Sequence, residues 1–520
     1  MNSPGPSTAL NMRHVVAFVA MVFGMFMAIL DIQIVSASLS EIQAGLSASP
    51  DEIAWVQTSY LIAEVIMIPL SGTLSRILST RVLYTISAGG FTLMSFLCAQ
   101  ADSISSMIVF RALQGFIGGA MIPTVFATSF LIFPREKQPV ITPIIGLVAT
   151  LAPTIGPTVG GYLTDLFSWH WLFLVNIVPG IVVTVAAWFL IDFDKPDWSL
   201  VKNFDWFGLI FMGVMLGSLE YILEEGPRDD WLDSTVISTL IVICIASALA
   251  FAWRIASAKQ PIVDFSAFAN RNFSAGSLFS FSLGVGLYGL TFLYPVYLAR
   301  VRGYSSLMIG DTMFVTGIAM FLTAPIAGRL MTKIDPRLMM ATGFAGFAVG
   351  TWIASAVTKD WSFNELLIPQ ILRGVSLMMC MIPITNMSLG TLPPAKLRGA
   401  SGLFNLTRNL GGAVGLAIIN TVINHRTDFH YERLAEHVTW SNPAALETLD
   451  GLTKSLSTLG SDASSAALAK LSQMVQREAL VMAIGDVFVL LTVLFAAIAI
   501  LTPLMRKPRP APAGAGAGGH

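Results

Sequence analysis

Long apolar runs separated by short polar breaks fill the chain from end to end. Fourteen runs are long enough to cross a bilayer, at roughly 14–38, 53–73, 82–100, 106–130, 140–163, 172–192, 204–224, 235–255, 273–299, 307–331, 339–357, 365–390, 400–424 and 481–504. A hydrocarbon core of about 30 Å is crossed by about 20 helical residues, and in lipid only helices and closed barrels satisfy every backbone group. These runs are continuously apolar rather than alternating, so they predict an all-α membrane protein of fourteen transmembrane helices. The first run is too long for a signal-peptide core and has no clear small-residue cleavage site, so it is expected to be a retained helix.

Composition agrees. Of 520 residues, 54% are hydrophobic and 12% charged, against roughly 25% charged in an ordinary soluble protein. The net charge of −1 gives no reason to expect nucleic acid. Cys98, Cys244 and Cys380 lie far apart in apolar runs, which predicts helix filling rather than a disulfide or metal framework.

The placement of charge sets an orientation. With the N-terminus inside, 18 basic residues, among them Arg76, Arg81 and Arg398, fall in cytoplasmic segments, and four (Arg228, Arg300, Arg302 and Lys359) fall in short outer loops. Basic residues favour the cytoplasmic side, so both termini are expected there, in the inner membrane of a bacterium. The stretch 425–480 is then a long outer connection whose helical periodicity predicts a partly helical periplasmic lobe, with a mobile linker as the alternative. The Pro/Ala/Gly-rich end, 505–520, is expected to be a disordered cytoplasmic tail.

The halves repeat weakly. Gly72 and Gly328, Leu74 and Leu330, and Arg81 and Arg337 share an offset of 256, as do Gly146 and Gly402, and Gly156 and Gly412. Arg111 precedes M-I-P-T by ten residues, and Arg373 precedes M-I-P-I-T by eight. Two six-helix units follow, at 14–192 and 261–504, with an insert at 193–260 carrying helices 7 and 8, and a short cytoplasmic segment, 1–13, ahead of them. Parallel repeats about an axis along the membrane normal enclose a central cavity and rock to give alternating access.

Several residues are costly in lipid. A lone carboxylate at mid-membrane, where Asp31 falls on the first helix, costs at least ~2.5–3.5 kcal/mol. Burial raises a carboxyl's affinity for protons and a nearby cation lowers it, so such a group can bind and release a proton as its surroundings change. Asp31 is therefore the first candidate for proton coupling, with Glu64 the second and Arg111 the tuning cation; the bland reading is a structural acid pinned by an arginine. Glu220 is a further candidate, or else an interfacial residue. Gly115 and Gly119 form a close-packing step. In the fifth helix Pro153, Gly156, Pro157, Gly160 and Gly161 concentrate helix-breaking residues where a bend would matter to a moving interface. Gln33, Gln57, Tyr60, Gln114, Arg373, Asn386, Phe404, Asn405 and Arg408 are candidates for the cavity wall, although polar side chains also glue membrane helices together.

These signatures resemble the major facilitator superfamily, in particular its fourteen-helix drug:proton antiporters of the EmrB/QacA type. The match is carried by L-D-I-Q-I-V at 30–35, W-V-Q-T-S-Y at 55–60, R-A-L-Q-G at 111–115, G-P-T-V-G-G at 156–161, and L-P-P-A-K at 392–396 with S-G-L-F-N-L-T-R-N at 401–409, the last two as in the EmrB branch. The resemblance implies a major facilitator fold of two six-helix halves plus an inserted hairpin. It also implies export of hydrophobic drugs against protons, with no cofactor beyond the coupling ion, and a periplasmic adaptor protein with an outer-membrane channel. The chain departs from the family in the cytoplasmic motif after the second helix, which keeps Gly72 and Arg81 but has Arg76 at the usual acid and Ser79 at the usual glycine. Ser36 and Ser40 replace the family's Asn and Pro on the first helix.

Other chemistry is absent. G-V-G-L-Y-G at 284–289 matches a dinucleotide fingerprint but lies within an apolar run after no strand. There is no phosphate loop, no H-E-x-x-H and no credible Ser/His/Asp set, so the protein is not expected to be an enzyme or to hold a metal. Two further readings remain: a carrier of an endogenous compound such as a fatty acid, siderophore or metabolite, and a membrane sensor or enzyme.

Overall fold

The structure, a computed structural model, describes residues 12–258, 260–456 and 462–506. Most of the expected tail and the segment 1–11 lie outside the described residues. The helices are α1 (Met12–Ala37), α2 (Pro50–Leu78), α3 (Thr80–Ala99), α4 (Ile104–Ile132), α5 (Gln138–Leu166), α6 (Trp171–Leu190) and α7 (Trp206–Glu225). They continue with α8 (Thr235–Ser257), α9 (Arg271–Arg300), α10 (Ser306–Lys333), α11 (Pro336–Ala354), α12 (Phe363–Leu389), α13 (Pro394–Ala435) and α14 (Ala463–Leu501). Among the described residues, 13 helices are long and apolar enough to cross a membrane. The fourteenth expected span falls on α11, whose 19 residues begin on Pro336 and Arg337 and which packs between α12 and α14.

Local chemistry explains the boundaries. The Ser49 hydroxyl accepts from the Glu52 amide while the Glu52 carboxylate accepts from the Ser49 amide, a capping box that starts α2. Pro139 and Pro394 sit in the first turns of α5 and α13, where their missing N–H costs nothing. Two spans are broken. In α4 the helix stops at Gly118 and resumes at Met121, and in α6 it stops at Leu174 and resumes at Ile177.

In the first half α1 packs on α5 and α6, α2 on α4, and α3 on α4 and α6. In the second half α9 packs on α12 and α13, α11 on α12 and α14, and α13 on α14. The halves meet along two seams, α5 with α10 and α2 with α13. The hairpin α7–α8 lies outside, with α7 against α2 and α13. The turn between its helices is tied to α13, because Trp231 Nε1 donates to Thr421 and Asn424 Nδ2 donates to the Pro227 carbonyl.

The bundle has a termini face and an opposite lobe face. At 42 residues, α13 is about 63 Å long at 1.5 Å per residue, twice the hydrocarbon thickness. Its last turns and the start of α14 stand beyond the bundle on the lobe face, with a short helix, Pro443–Ser455, between them. Asp486 accepts from Arg426 Nε at 2.6 Å and pairs with His430 Nε2 at 2.7 Å at the base of this extension.

Candidate functional site

Five helices bring their polar side chains to one point in the first half. Asp31 is the twentieth of the 26 residues of α1, in the half of that helix that leads to the lobe face. Its Oδ2 accepts from Arg111 Nη1 at 2.7 Å, and its Oδ1 accepts from Asn176 Nδ2 at 2.6 Å and Gln114 Nε2 at 3.4 Å. Gln114 Oε1 accepts from the same Arg111 nitrogen at 2.7 Å. Ser95 of α3 receives the second donors of Gln114 and Asn176. Arg111 Nε donates to the Val56 carbonyl, and the guanidinium lies 4.2 Å from the Tyr60 ring centroid. Asp31, Arg111, Gln114 and Tyr60 are fully buried. Taking a carboxylate and a guanidinium out of water costs several kcal/mol each, and only their mutual attraction with well-made hydrogen bonds offsets it. The pair is therefore balanced only while both side chains carry their charges.

Beside the cluster, on the lobe face, a cavity of about 540 Å³ lies between the halves. Gln33 and Ser36 of α1, Gln57 and Leu61 of α2, and Pro157 of α5 form one wall; Tyr288, Thr291, Phe292 and Pro295 of α9 with Asn420 of α13 form the other. Leu223 and Glu224 of α7 also line it. Thus α1 turns Asp31 into the ion cluster and, two residues on, Gln33 into the cavity. Glu64 and Glu220 are buried, and lie within electrostatic reach of one another and of Tyr288.

At the termini face the halves are shut. Asp194, just after α6, accepts from Arg398 Nη2 of α13 at 2.7 Å and from the backbone and hydroxyl of Thr80. A Cβ built on Gly72 would lie 2.8 Å from the Gly399 Cα, so the seam α2–α13 closes there backbone to backbone. Ser401 donates to the Pro123 carbonyl, and Thr142 of α5 donates to Asn386 of α12. The cavity is therefore open towards the lobe face and closed towards the termini face.

Residues 21–416 match the sequence pattern of the Major Facilitator Superfamily. The chain belongs to that superfamily, and within it to the EmrB branch. It is 43% identical over 490 residues, 94% of its own length and 96% of the relative's, to the colistin resistance protein EmrB of Acinetobacter baumannii. It is 31% identical to the fatty acid resistance protein FarB of Neisseria gonorrhoeae, over 80% of this chain and 82% of that one. Its fold superposes on the crystal structure of the human organic anion transporter MFSD10 with a TM-score of 0.56 at 13% identity, covering 93% of this chain and 99% of that one. The protein is thus a major facilitator transporter, a multi-pass membrane protein.

The transporter sorts the sequence candidates into three places. Gln33 and Gln57 are in the cavity wall, with Pro157. Tyr60 and Gln114 are not; they complete the ion cluster, because their faces of α2 and α4 turn towards each other rather than towards the second half. Asn386, Phe404, Asn405 and Arg408 lie off the wall in this conformation. Arg408 donates to Asn405 and sits 5.2 Å from the Phe126 ring centroid across the closed seam. Arg373 donates to Thr291 and so stands directly behind the wall. Pro153 and Gly161 are buried within α5, which remains one continuous helix. Gly156 and Gly160 press on α1: a Cβ at either would come within 2.4 Å of the Gln33 Cβ or 2.8 Å of the Ile34 carbonyl. Gly115 makes the equivalent approach of α4 to the Tyr60 carbonyl of α2, at 2.3 Å. Arg76 is exposed, and Arg81 covers the Trp188 ring. The 284–289 glycines lie inside α9.

Four residues escaped the sequence reading. Asn176 and Ser95 hold Asp31 and its partners, Thr291 joins the cavity to Arg373, and Asp194 closes the termini face. A lone Asn in the apolar run of α6 was the available signal for the first; a cytoplasmic acid among basic loops gave none for the last.

Proposed function

We propose that the transporter is a proton-coupled exporter of hydrophobic and amphipathic compounds, taking them from the cytoplasm or the membrane and releasing them by alternating access. The observation that carries this reading is the sealed Asp31–Arg111 pair, which shares α1 with the wall of the central cavity. A proton bound at Asp31 loosens the pair, and the same helix then repositions Gln33 and its contact with Gly156. Movement of one elementary charge is worth about 2.3 kcal/mol per 100 mV, enough to drive substantial accumulation. Glu64 and Glu220 are the reserve proton sites. The relatives' names, colistin resistance and fatty acid resistance, support an efflux role.

The distribution of basic residues supports a reading with the termini face in the cytoplasm and the lobe face in the periplasm of a bacterial inner membrane. On this reading the lobe, 425–480, meets a periplasmic adaptor that leads to an outer-membrane channel. Deleting the lobe should abolish co-purification with that adaptor, and unchanged recovery would exclude the contact. A second reading, export of an endogenous fatty acid or metabolite, is favoured by the name of the Neisseria relative.

The test is dye transport by purified protein in liposomes under an imposed pH gradient. Uncoupler-sensitive accumulation in wild type that disappears in Asp31→Asn is the expected result. Accumulation kept in the variant moves the proton to Glu64 or Glu220. Accumulation that ignores the gradient removes proton coupling altogether.

A further inference from the structure

A second cavity, of about 530 Å³, lies on the lipid side of the molecule, over the termini end of the seam α5–α10, and shares no lining residue with the central one. The helices touch at its floor, where Gly328 of α10 meets the Pro139 carbonyl of α5 with no room for a Cβ. Val140 and Ile144 of α5 line one wall and Phe321 of α10 lines the other, and these three side chains are 49 to 63% exposed. Thr332, also in the wall, is eleven residues beyond Phe321 on α10, a height of about 16 Å at 1.5 Å per residue. Half of a hydrocarbon core of about 30 Å is about 15 Å, so the cleft is as tall as the leaflet on the termini side. An unfilled apolar void forfeits dispersion contacts, and the medium at that depth supplies acyl chains to fill it. Two charges, Glu136 just before α5 and Arg329 on α10, stand at the termini end of the same cleft, one from each half. Both are exposed, and among the described residues neither is ion-paired.

We propose that this cleft is a binding site for one membrane phospholipid with a primary-amine head group, which bridges the two halves. An acyl chain fills the cleft along Ile144 and Phe321. The phosphate accepts from Arg329, whose guanidinium suits paired phosphate oxygens, and the ammonium donates to the Glu136 carboxylate. A trimethylammonium head has no N–H to donate, and a glycerol head brings no cation to Glu136, so the primary amine is the head that matches both rim charges. Its two anchors lie on opposite sides of the seam. The lipid therefore holds the halves together where Gly328 and Pro139 touch, and favours the conformation closed at the termini face. The site stands apart from the transported compound and does not depend on its identity.

The experiment is native mass spectrometry of the full chain in detergent, with phosphatidylethanolamine, phosphatidylcholine and phosphatidylglycerol of identical acyl chains competing in equal amounts. Wild type is expected to retain one phosphatidylethanolamine about tenfold more strongly than phosphatidylcholine, the scale of one charge-assisted contact. Glu136→Ala is expected to remove that preference, and Arg329→Ala to lower retention of both lipids by about tenfold. Ile144→Trp, which turns a ring into the cleft from a position already half exposed, is expected to abolish retention of the single lipid. Equal retention of all three lipids by wild type means a bulk lipid shell only, and overturns the proposal even if every variant fails to fold. A preference for phosphatidylglycerol overturns it too, because the site would then read net negative charge. So does a preference for phosphatidylethanolamine that survives in folded Glu136→Ala and Ile144→Trp. Bridging is read in vesicles carrying Ser401→Cys, a position buried beside the Pro123 carbonyl at the closed face. Exchanging phosphatidylethanolamine for phosphatidylcholine should speed its labelling from the termini side by up to about tenfold, and a rate that does not respond overturns the bridging.

Discussion

The guanidinium of Arg111 sits 2.7 Å from the Asp31 carboxylate, and neither side chain has any exposed surface. Removing one member of such a pair strands a charge in a medium that cannot solvate it, at a cost of about 3–5 kcal/mol, whereas removing both costs far less. Asp31→Asn and Arg111→Gln should each lower the thermal unfolding midpoint in detergent, and the double variant should recover most of the loss. The double variant should nevertheless carry no proton-driven transport. If it is as unstable as the single variants, the hydrogen-bond set with Gln114 and Asn176 matters more than charge balance.

Ser79 joins α2 to α3 with φ 77° and ψ 156°, a region occupied almost only by glycine and costing a side chain roughly 1–3 kcal/mol. Its hydroxyl returns a little by accepting from the Val82 amide at 3.4 Å, and replacing a serine cap by glycine costs only a few tenths of a kcal/mol. Ser79→Gly is therefore expected to stabilise the protein by about 1 kcal/mol. Ser79→Ala keeps the strain and loses the cap, so it should destabilise. Thermal unfolding of the two variants side by side checks the sign of each.

The termini face is closed by an ion pair that crosses between the halves, Asp194 to Arg398, with side chains 10% and 23% exposed. A partly exposed pair of this kind is worth up to about 1 kcal/mol. Arg398→Ala should thus raise the population of the state open at that face by up to about fivefold. A cysteine placed at Ser401, now buried beside the Pro123 carbonyl, would report the change. Its labelling by an impermeant maleimide in inside-out vesicles should speed up in the Arg398→Ala background. An unchanged labelling rate would mean that the backbone contact at Gly72 holds the face shut by itself.

How much of this was legible beforehand differs between fold and site. The spans, the two halves and the closed packing steps follow from local features: apolar runs of about 20 residues, a shared offset of 256, and glycines spaced one turn apart. Asp31 and Arg111 stood out because each is a lone charge in an apolar run. Their enclosure did not, because it depends on the break in α6 that swings Asn176 inward. The wall residues were legible only in part. Gln57 and Tyr60 are three apart on α2, about 60° round the helix, and that rotation separates the cavity from the ion cluster. Periodicity shows that both are inward-facing, but only the positions of α4 and α9 decide which neighbour each one meets. The excess of basic residues in the segments of one face over the short loops of the other, 18 to four, suggested an orientation, while the acid that pairs with one of them, Asp194, is indistinguishable in sequence from its loop neighbours Asp192 and Asp197.

The contact of α5 with α1 is where helix packing and the proposed coupling coincide. Gly156 lies against Gln33, two residues from Asp31, and Gly160 lies against the Ile34 carbonyl. A methyl group at Gly160 meets backbone, which has no alternative rotamer, so Gly160→Ala should separate the helices and destabilise the fold by roughly 1–3 kcal/mol. At Gly156 the obstruction is the first carbon of the Gln33 side chain, and α1 must shift or turn to admit it. Such a turn moves Gln33 in the cavity and Asp31 against Arg111 together. Gly156→Ala should therefore weaken substrate binding and proton-driven transport jointly, beyond what its effect on stability accounts for. Gln33→Ala leaves the Cβ in place and should affect substrate binding alone. Measuring ligand affinity and gradient-driven uptake for both variants decides the matter. If Gly156→Ala lowers affinity but leaves the coupling of transport to the gradient intact, α1 does not link the cavity to the ion pair, and the proton must act through α2 and Glu64.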